Sequence, residues 1–86
     1  MTTGFVLVAS APSKELDVFG KLLKLDGVVE VWPVLGPIDF IVRVEAENHE
    51  QIAEIVLRNI RTILGVTSTK TFVEDEFLRH LKMLAE

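Results

Sequence analysis

The stretch DGVVEVWPVLGPIDFIVRVEA, residues 26–46, decides the fold. Two strand-like apolar runs, Val28 to Leu35 and Phe40 to Val44, flank the corner Gly36-Pro37-Ile38-Asp39, and the second strand is expected to run from about Ile38 to Glu45. Gly allows the positive φ that a hairpin reversal often needs, and Pro fixes its own φ and removes a donor. The corner therefore turns tightly and sets one carboxylate beside exposed backbone N–H groups. Pro33 interrupts the first run late, which predicts an edge strand or a bulge. In the second run Arg43 and Glu45 lie on the pleat opposite Val42 and Val44. Asp39 has two readings here: an Asx-type acceptor that holds the hairpin, or an anionic contact for a small cationic or amino group.

Outward from the hairpin, the hydrophobic period changes wherever Gly, Pro or Asn punctuates the chain. Phe5 to Ser10 is β-branched and apolar, hence a strand, and Ala11-Pro12-Ser13 stops it and offers Pro12 or Ser13 as a helix start. From Leu16 the residues Phe19, Leu22, Leu23 and Leu25 recur at helical steps, with Lys14, Lys21 and Lys24 elsewhere, until Asp26-Gly27 closes the helix. Beyond the hairpin, Asn48 with Gln51 three residues later makes a capping box, and Ile52, Ile55, Val56 and Ile60 form the stripe of a second helix ended by Gly65. Val66 to Val73 is a strand rich in hydroxyls: Thr67, Ser68, Thr69 and Thr71 are either surface filler or ligand contacts. The tail from Glu74 to Glu86 carries Phe77, Leu78, Leu81 and Leu84 at helical spacing, with Arg79, His80 and Lys82 towards its end.

The order strand, helix, strand, strand, helix, strand is the ferredoxin-like βαββαβ arrangement, an α+β fold with a four-stranded antiparallel sheet and two helices on one face. The tail adds a C-terminal amphipathic helix. The first and third strands are apolar on both pleats: Phe5 and Leu7 stand against Val6 and Val8, and Phe40 and Val42 against Ile41. Two helices cover only one face, so the other has to meet the tail, a second chain, or both. Burying about 800 Å² per partner would make a stable interface, and a homodimer joined through its sheets, a dimeric α/β-barrel-type assembly, is the expected geometry.

Composition points the same way. A chain of 86 residues holds one domain, and its hydrophobic fraction of 49% exceeds what so small an interior can hide, which predicts an oligomer. Thirteen acidic against nine basic side chains leave a formal charge of −4, where a phosphate-binding surface would carry a basic stripe. Direct nucleic-acid binding is not expected. The absence of Cys fits a reducing compartment, and the short run Phe5 to Ala9 behind an uncharged Met1-Thr2-Thr3 is neither a membrane span nor a signal core, so a cytoplasmic protein away from the membrane is expected.

Catalytic and metal chemistry find little support. His49 and His80 lack a second ligand at metal spacing and read as surface residues. Asp26, Glu30 and Glu45 fall on different elements with no nucleophile to connect them. Lys14, Lys21 and Lys24 read as a solubilising face, and Gly27, Gly36 and Gly65 are too scattered to cradle a phosphate. No catalytic residue, metal or cofactor is expected. Trp32, beside Pro33, reads as an interface residue.

Taken together, the opening FVLV strand, the hairpin with its G-x-x-D corner, the helix ending IRTILGV and the closing strand TSTKTFV resemble the ligand-binding (RAM) domain of the Lrp/AsnC, or feast/famine, regulators. The likeness spans about Phe5 to Glu74. In that family a helix-turn-helix domain precedes this module, and here four residues stand before the first strand, so the chain resembles a stand-alone form: residues 1–74 as the RAM domain and 75–86 as its helical tail. The resemblance implies dimers that assemble into higher oligomers, with a free amino acid bound where dimers meet. Gly36, Pro37, Ile38 and Asp39 match the family's corner, whose Asp holds the ligand's ammonium, while Thr69 and Thr71 lie on the closing strand that approaches from a neighbouring subunit. Many relatives carry an aromatic residue where Ile38 stands, which implies either different side-chain recognition or a degenerate site.

The expectation is an amino-acid-binding oligomeric module that modulates transcription through protein partners, full-length Lrp/AsnC regulators among them. A zwitterion needs an acceptor for its ammonium and donors for its carboxylate, and Asp39, turn N–H groups and Thr hydroxyls offer both. Two alternatives stay open. One is a small ferredoxin-like dimeric enzyme, a monooxygenase or isomerase, which would place His49, Trp32 or a carboxylate in a closed pocket within each subunit. The other is a co-assembly partner that binds nothing small. The apolar face of the tail is expected to pack on a neighbouring subunit.

Overall fold

Pro33 and the Gly36 corner shape the hairpin as the sequence dictates, with a wider corner than expected. The computed structural model describes residues 1–85 and runs β1 (Thr2–Ser10), α1 (Glu15–Leu22), β2 (Val28–Pro33), β3 (Phe40–Ala46), α2 (His49–Glu54) continued by a π-helical segment (Ile55–Ile60), β4 (Val66–Val73) and α3 (Glu74–Ala85). Within α3 the side chains at 75–78, 80 and 85 lie outside the described residues, as does Glu86, and the expectations for Phe77, Leu78 and His80 fall there. β2 stops at Pro33, short of Leu35, because Pro cannot donate to the ladder, and β3 begins at Phe40 and not at Ile38. The strand order is β2-β3-β1-β4 with antiparallel pairing throughout. Pro33 thus sits on an edge strand, and a register shift between Val28 and Glu30 bends that same strand.

Helices α1 and α2 cover one face of the sheet. Val6 and Val8 of β1 and Phe40, Val42 and Val44 of β3 point to that face and join Val18, Leu22, Ile52, Val56 and Ile60 in the core. Phe19 stacks on Phe40 at 5.8 Å between ring centroids. The buried stripe of α1 differs from the expected one: Val18 and Leu22 are buried, while Leu16 and Leu23 are exposed. The helix also ends at Leu22. Lys24 and Leu25 donate to the carbonyls of Lys21 and Leu22, three residues back, so the last turn tightens before Gly27. Gly27 has φ +89°, and a Cβ there would stand 2.7 Å from Ile55 Cδ1, so the turn into β2 requires Gly.

Ser13 does not cap α1. Its φ of +70° places it in the left-handed region, and the cap position falls to Lys14, whose side chain cannot accept a hydrogen bond. Glu15 and Asp17 in the first turn complement the helix dipole instead. Asn48 does cap α2: its Oδ1 accepts from Gln51 N at 2.9 Å. The reciprocal arm reaches one residue further back than a capping box, since Gln51 Oε1 accepts from Glu47 N at 3.0 Å. Asn48→Ala should therefore lower stability by about 1 kcal/mol in urea titrations, and Asn48→Ser should restore most of it.

The other sheet face is mixed. Phe5 and Leu7 of β1, Ile41 and Arg43 of β3, Trp32 of β2 and Lys70 and Phe72 of β4 share it, as their pairings require. Trp32 is exposed there, and Phe5, Leu7 and Ile41 are partly buried. Arg43 is held from two sides, donating from Nη2 to Glu30 Oε1 at 2.7 Å and from Nη1 to Glu45 Oε2 at 3.2 Å. α3 runs against β1 and β4, with Leu81, Met83 and Leu84 exposed.

Candidate functional site

Asp39 ends the hairpin corner and is tied to the sheet through three of its own groups. Its N–H donates to the Val8 carbonyl at 2.9 Å, and its carbonyl accepts from Val34 N at 2.9 Å. Its carboxylate Oδ2 accepts from Ser10 N at 2.7 Å, closing the open end of β1. The carboxylate thus holds the corner with one oxygen, by a bond to β1 and not by the Asx-type turn expected within the hairpin. The other, Oδ1, accepts no hydrogen bond among the described residues. Gly36, at φ +141°, has open space where a Cβ would be, Pro37 is exposed, Ile38 and Asp39 are partly buried, and Leu35 is fully exposed at the tip. The hydroxyl of Ser10 is buried and unpartnered among the described residues. The corner is a loop pinned at Asp39 by three hydrogen bonds, with a spare carboxylate oxygen able to accept from an ammonium.

Thr69 and Thr71 lie elsewhere in the same protomer. Paired with Val8 and Val6, they point to the helix-covered face and form one wall of an open groove of about 310 Å³ between β4 and α2 with its π-helical extension. Ile52, Ala53, Val56, Leu57 and Val73 make the groove largely apolar, with His49 and Arg61 at its margins. Ser68 pairs with Ala9 and faces the opposite side of the sheet. Val8, fully buried, stands between the corner and Thr69, so one protomer does not bring Asp39 and the two Thr residues onto one ligand.

Arg61 was not among the candidate residues read from the sequence. A signal for it exists: Glu54 stands one turn before Arg58 and approaches it at 3.8 Å, whereas the residue one turn before Arg61 is Leu57. His49 is exposed at the groove margin. The enzyme alternative required a closed pocket holding His49, Trp32 or a carboxylate. The groove is open, no carboxylate lines it, and Trp32 is on the other sheet face. Among the described residues no three His, Asp or Glu side chains gather as a metal site. Among the described residues no helix is long and apolar enough to cross a membrane.

Comparison with known proteins adds a family. The model of the Lrp/AsnC ligand binding domain matches residues 3–80, which includes the first half of α3. An uncharacterised HTH-type transcriptional regulator of Pyrococcus furiosus is 39% identical over 75 residues, covering 84% of this chain and 50% of that protein. The crystal structure of FFRP-DM1 superposes with a TM-score of 0.80 at 33% identity, over 85% of this chain and 97% of that one. E. coli AsnC superposes with a TM-score of 0.78 at 20% identity, over 84% of this chain and 49% of that one, a likeness of fold. The chain spans about half the length of the curated relatives it matches. The curated relatives it matches are named as HTH-type transcriptional regulators.

Proposed function

The chain belongs to the Lrp/AsnC ligand-binding domain family, and from that premise we propose that it is an amino-acid-responsive oligomeric module acting on transcription through protein partners. The effector, a free amino acid, binds in a seam between subunits. Gly36, Pro37, Ile38 and Asp39 of one copy take its ammonium end, and Thr69 and Thr71 of another copy approach from the far side. Subunits pair through the sheet face bearing Phe5, Leu7, Ile41 and Trp32, and pairs assemble further. The acidic balance of the chain argues against its own contact with DNA and for work through full-length regulators of the same family.

The observation that carries this reading is the state of Asp39. Three bonds hold it, yet among the described residues Oδ1 has no donor. A preorganised carboxylate of this kind gains more from an ammonium than a mobile one, and a charge-assisted bond is worth roughly 1.5–3 kcal/mol.

The test is calorimetry with the twenty amino acids on wild type, Asp39→Asn and Asp39→Ala. Asn keeps an oxygen for Ser10 N and removes the charge, so its stability should stay near wild type while binding weakens about ten- to a hundredfold. Ala should lose binding and stability together. Wild-type affinity in Asp39→Asn would reduce Asp39 to an acceptor for Ser10 N.

A further inference from the structure

The tip of the hairpin holds an anomaly. Leu35 is fully exposed, and residues 34–38, VLGPI, which make up the turn between β2 and β3, carry no polar side chain. We infer that Leu35 is an anchor for a second copy of this chain, seating in that copy's open groove between β4 and α2, on the apolar floor of Ile52, Ala53, Val56, Leu57 and Val73. The inference rests on the inter-subunit reading above and adds the contact that holds its two half-sites together.

The loop is built to present a side chain. Its base is closed by the bond from Val34 N to the Asp39 carbonyl, and Asp39 is tied in turn to Val8 and Ser10. A leucine carried on such a pinned turn brings little loop-ordering cost to docking, so more of its burial appears as affinity. The groove has the complementary anatomy. Its floor is apolar, while Thr69, Thr71, His49 and Arg61 supply polar groups around it, the arrangement of an interface core within a polar rim. The charges also suit each other: the turn and corner bring one carboxylate, Asp39, and the groove lining brings one guanidinium and no acid.

Leu35 does not use the groove of its own copy. The corner hangs on β1 through the Val8 carbonyl and lies on the β3 side of that strand, whereas the groove wall is β4, on the other side of β1, and the Leu35 side chain stands in solvent. The occupant therefore comes from another copy. Leu16 and Leu64 are also well exposed, but only Leu35 is joined directly to Gly36. A copy that presents Gly36 to Asp39 towards Thr69 and Thr71 brings Leu35 to the same groove. Each copy has one such knob and one such groove, so the contact passes from one sheet-joined pair to the next and builds a larger assembly.

The deciding experiment is light scattering with sedimentation velocity on wild type, Leu35→Ser, Ala53→Glu and an equimolar mixture of the two variants, with a urea titration of each. Wild type should run as a multiple of the sheet-joined pair. Leu35→Ser should weaken each contact about ten- to a hundredfold, the loss expected for one buried leucine side chain, and fall to the pair. Ala53→Glu should do the same from the groove side, because it sets a carboxylate against Leu35. Both positions are exposed, so the urea midpoints should stay at the wild-type value. The mixture should regain part of the larger assembly, since the intact groove of one variant takes the intact Leu35 of the other. Wild-type mass in Leu35→Ser, no regain in the mixture, or a wild type that is itself only a pair overturns the inference and leaves Asp39 and the amino-acid reading standing. Loss of mass in both variants with regain on mixing, in a wild type that binds none of the twenty amino acids, overturns the effector and upholds the anchor.

Discussion

Leu22→Ala is expected to destabilise the domain by about 3 kcal/mol, a large part of the total stability of a chain this size, and to lower its melting temperature by roughly 15 °C. Leu22 heads the fully buried side chains by volume, and it belongs to the core between the helices and the sheet. Truncation removes its transfer free energy and leaves a cavity that close-packed neighbours cannot fill. The neighbours are themselves fixed: Val6, Val8, Val18 and Val42 are all fully buried β-branched residues with few rotamers to relax into. Leu16→Ala is the matched control on the same helix. Leu16 is 85% exposed, and its removal should stay within about 0.5 kcal/mol of wild type. Urea titrations of both variants check the pair. Equal effects would mean that α1 is not seated through Val18 and Leu22.

That pair also marks how far periodicity reads. The run Leu16, Phe19, Leu22, Leu23, Leu25 offers more apolar positions than one helical stripe can bury, and sequence spacing alone does not say which member leads. The structure resolves it through the entry to the helix. Ser13 takes a left-handed turn, Ala11 N donates to the Gly65 carbonyl at 2.7 Å, and α1 then starts at Glu15 in a phase that turns Val18 inward and Leu16 out. Such a tertiary bond between residues 54 positions apart in sequence is not visible in local spacing. The second helix had no such ambiguity, because Asn48 fixes its start and Ile52, Val56 and Ile60 follow at four-residue steps. Antiparallel pairing and the edge position of Pro33 were equally legible, the first from the order of the elements and the second from what Pro cannot donate. The corner around Asp39 was legible as a place. Its bond to Ser10 N spans 29 positions and was not, nor was the groove, which exists only once α2 and β4 lie side by side.

Ile41→Lys is expected to break the proposed subunit pairing outright. Ile41 sits on the sheet face away from α1 and α2, with Leu7 across one strand boundary and Trp32 across the other. If that face is a seam, an ammonium placed there is buried without a partner at a cost of about 3 kcal/mol or more, which weakens association at least roughly a hundredfold. The charges already on this face do not contradict a seam, because the Arg43 guanidinium is neutralised by Glu30 and Glu45 through Nη2 and Nη1. The core lies on the other side of the sheet, so the variant should keep its circular dichroism and sediment or scatter as a 9.6 kDa monomer, where wild type gives a multiple of that mass. Leu64→Lys, at a position 75% exposed just before Gly65, is the control that should change nothing. An unchanged mass in Ile41→Lys would put the seam on another surface. A monomer that still bound amino acids as tightly as wild type would be the more damaging result, because the corner and the groove are separated by Val8 within one copy and can meet on a single ligand only when a second copy supplies one of them.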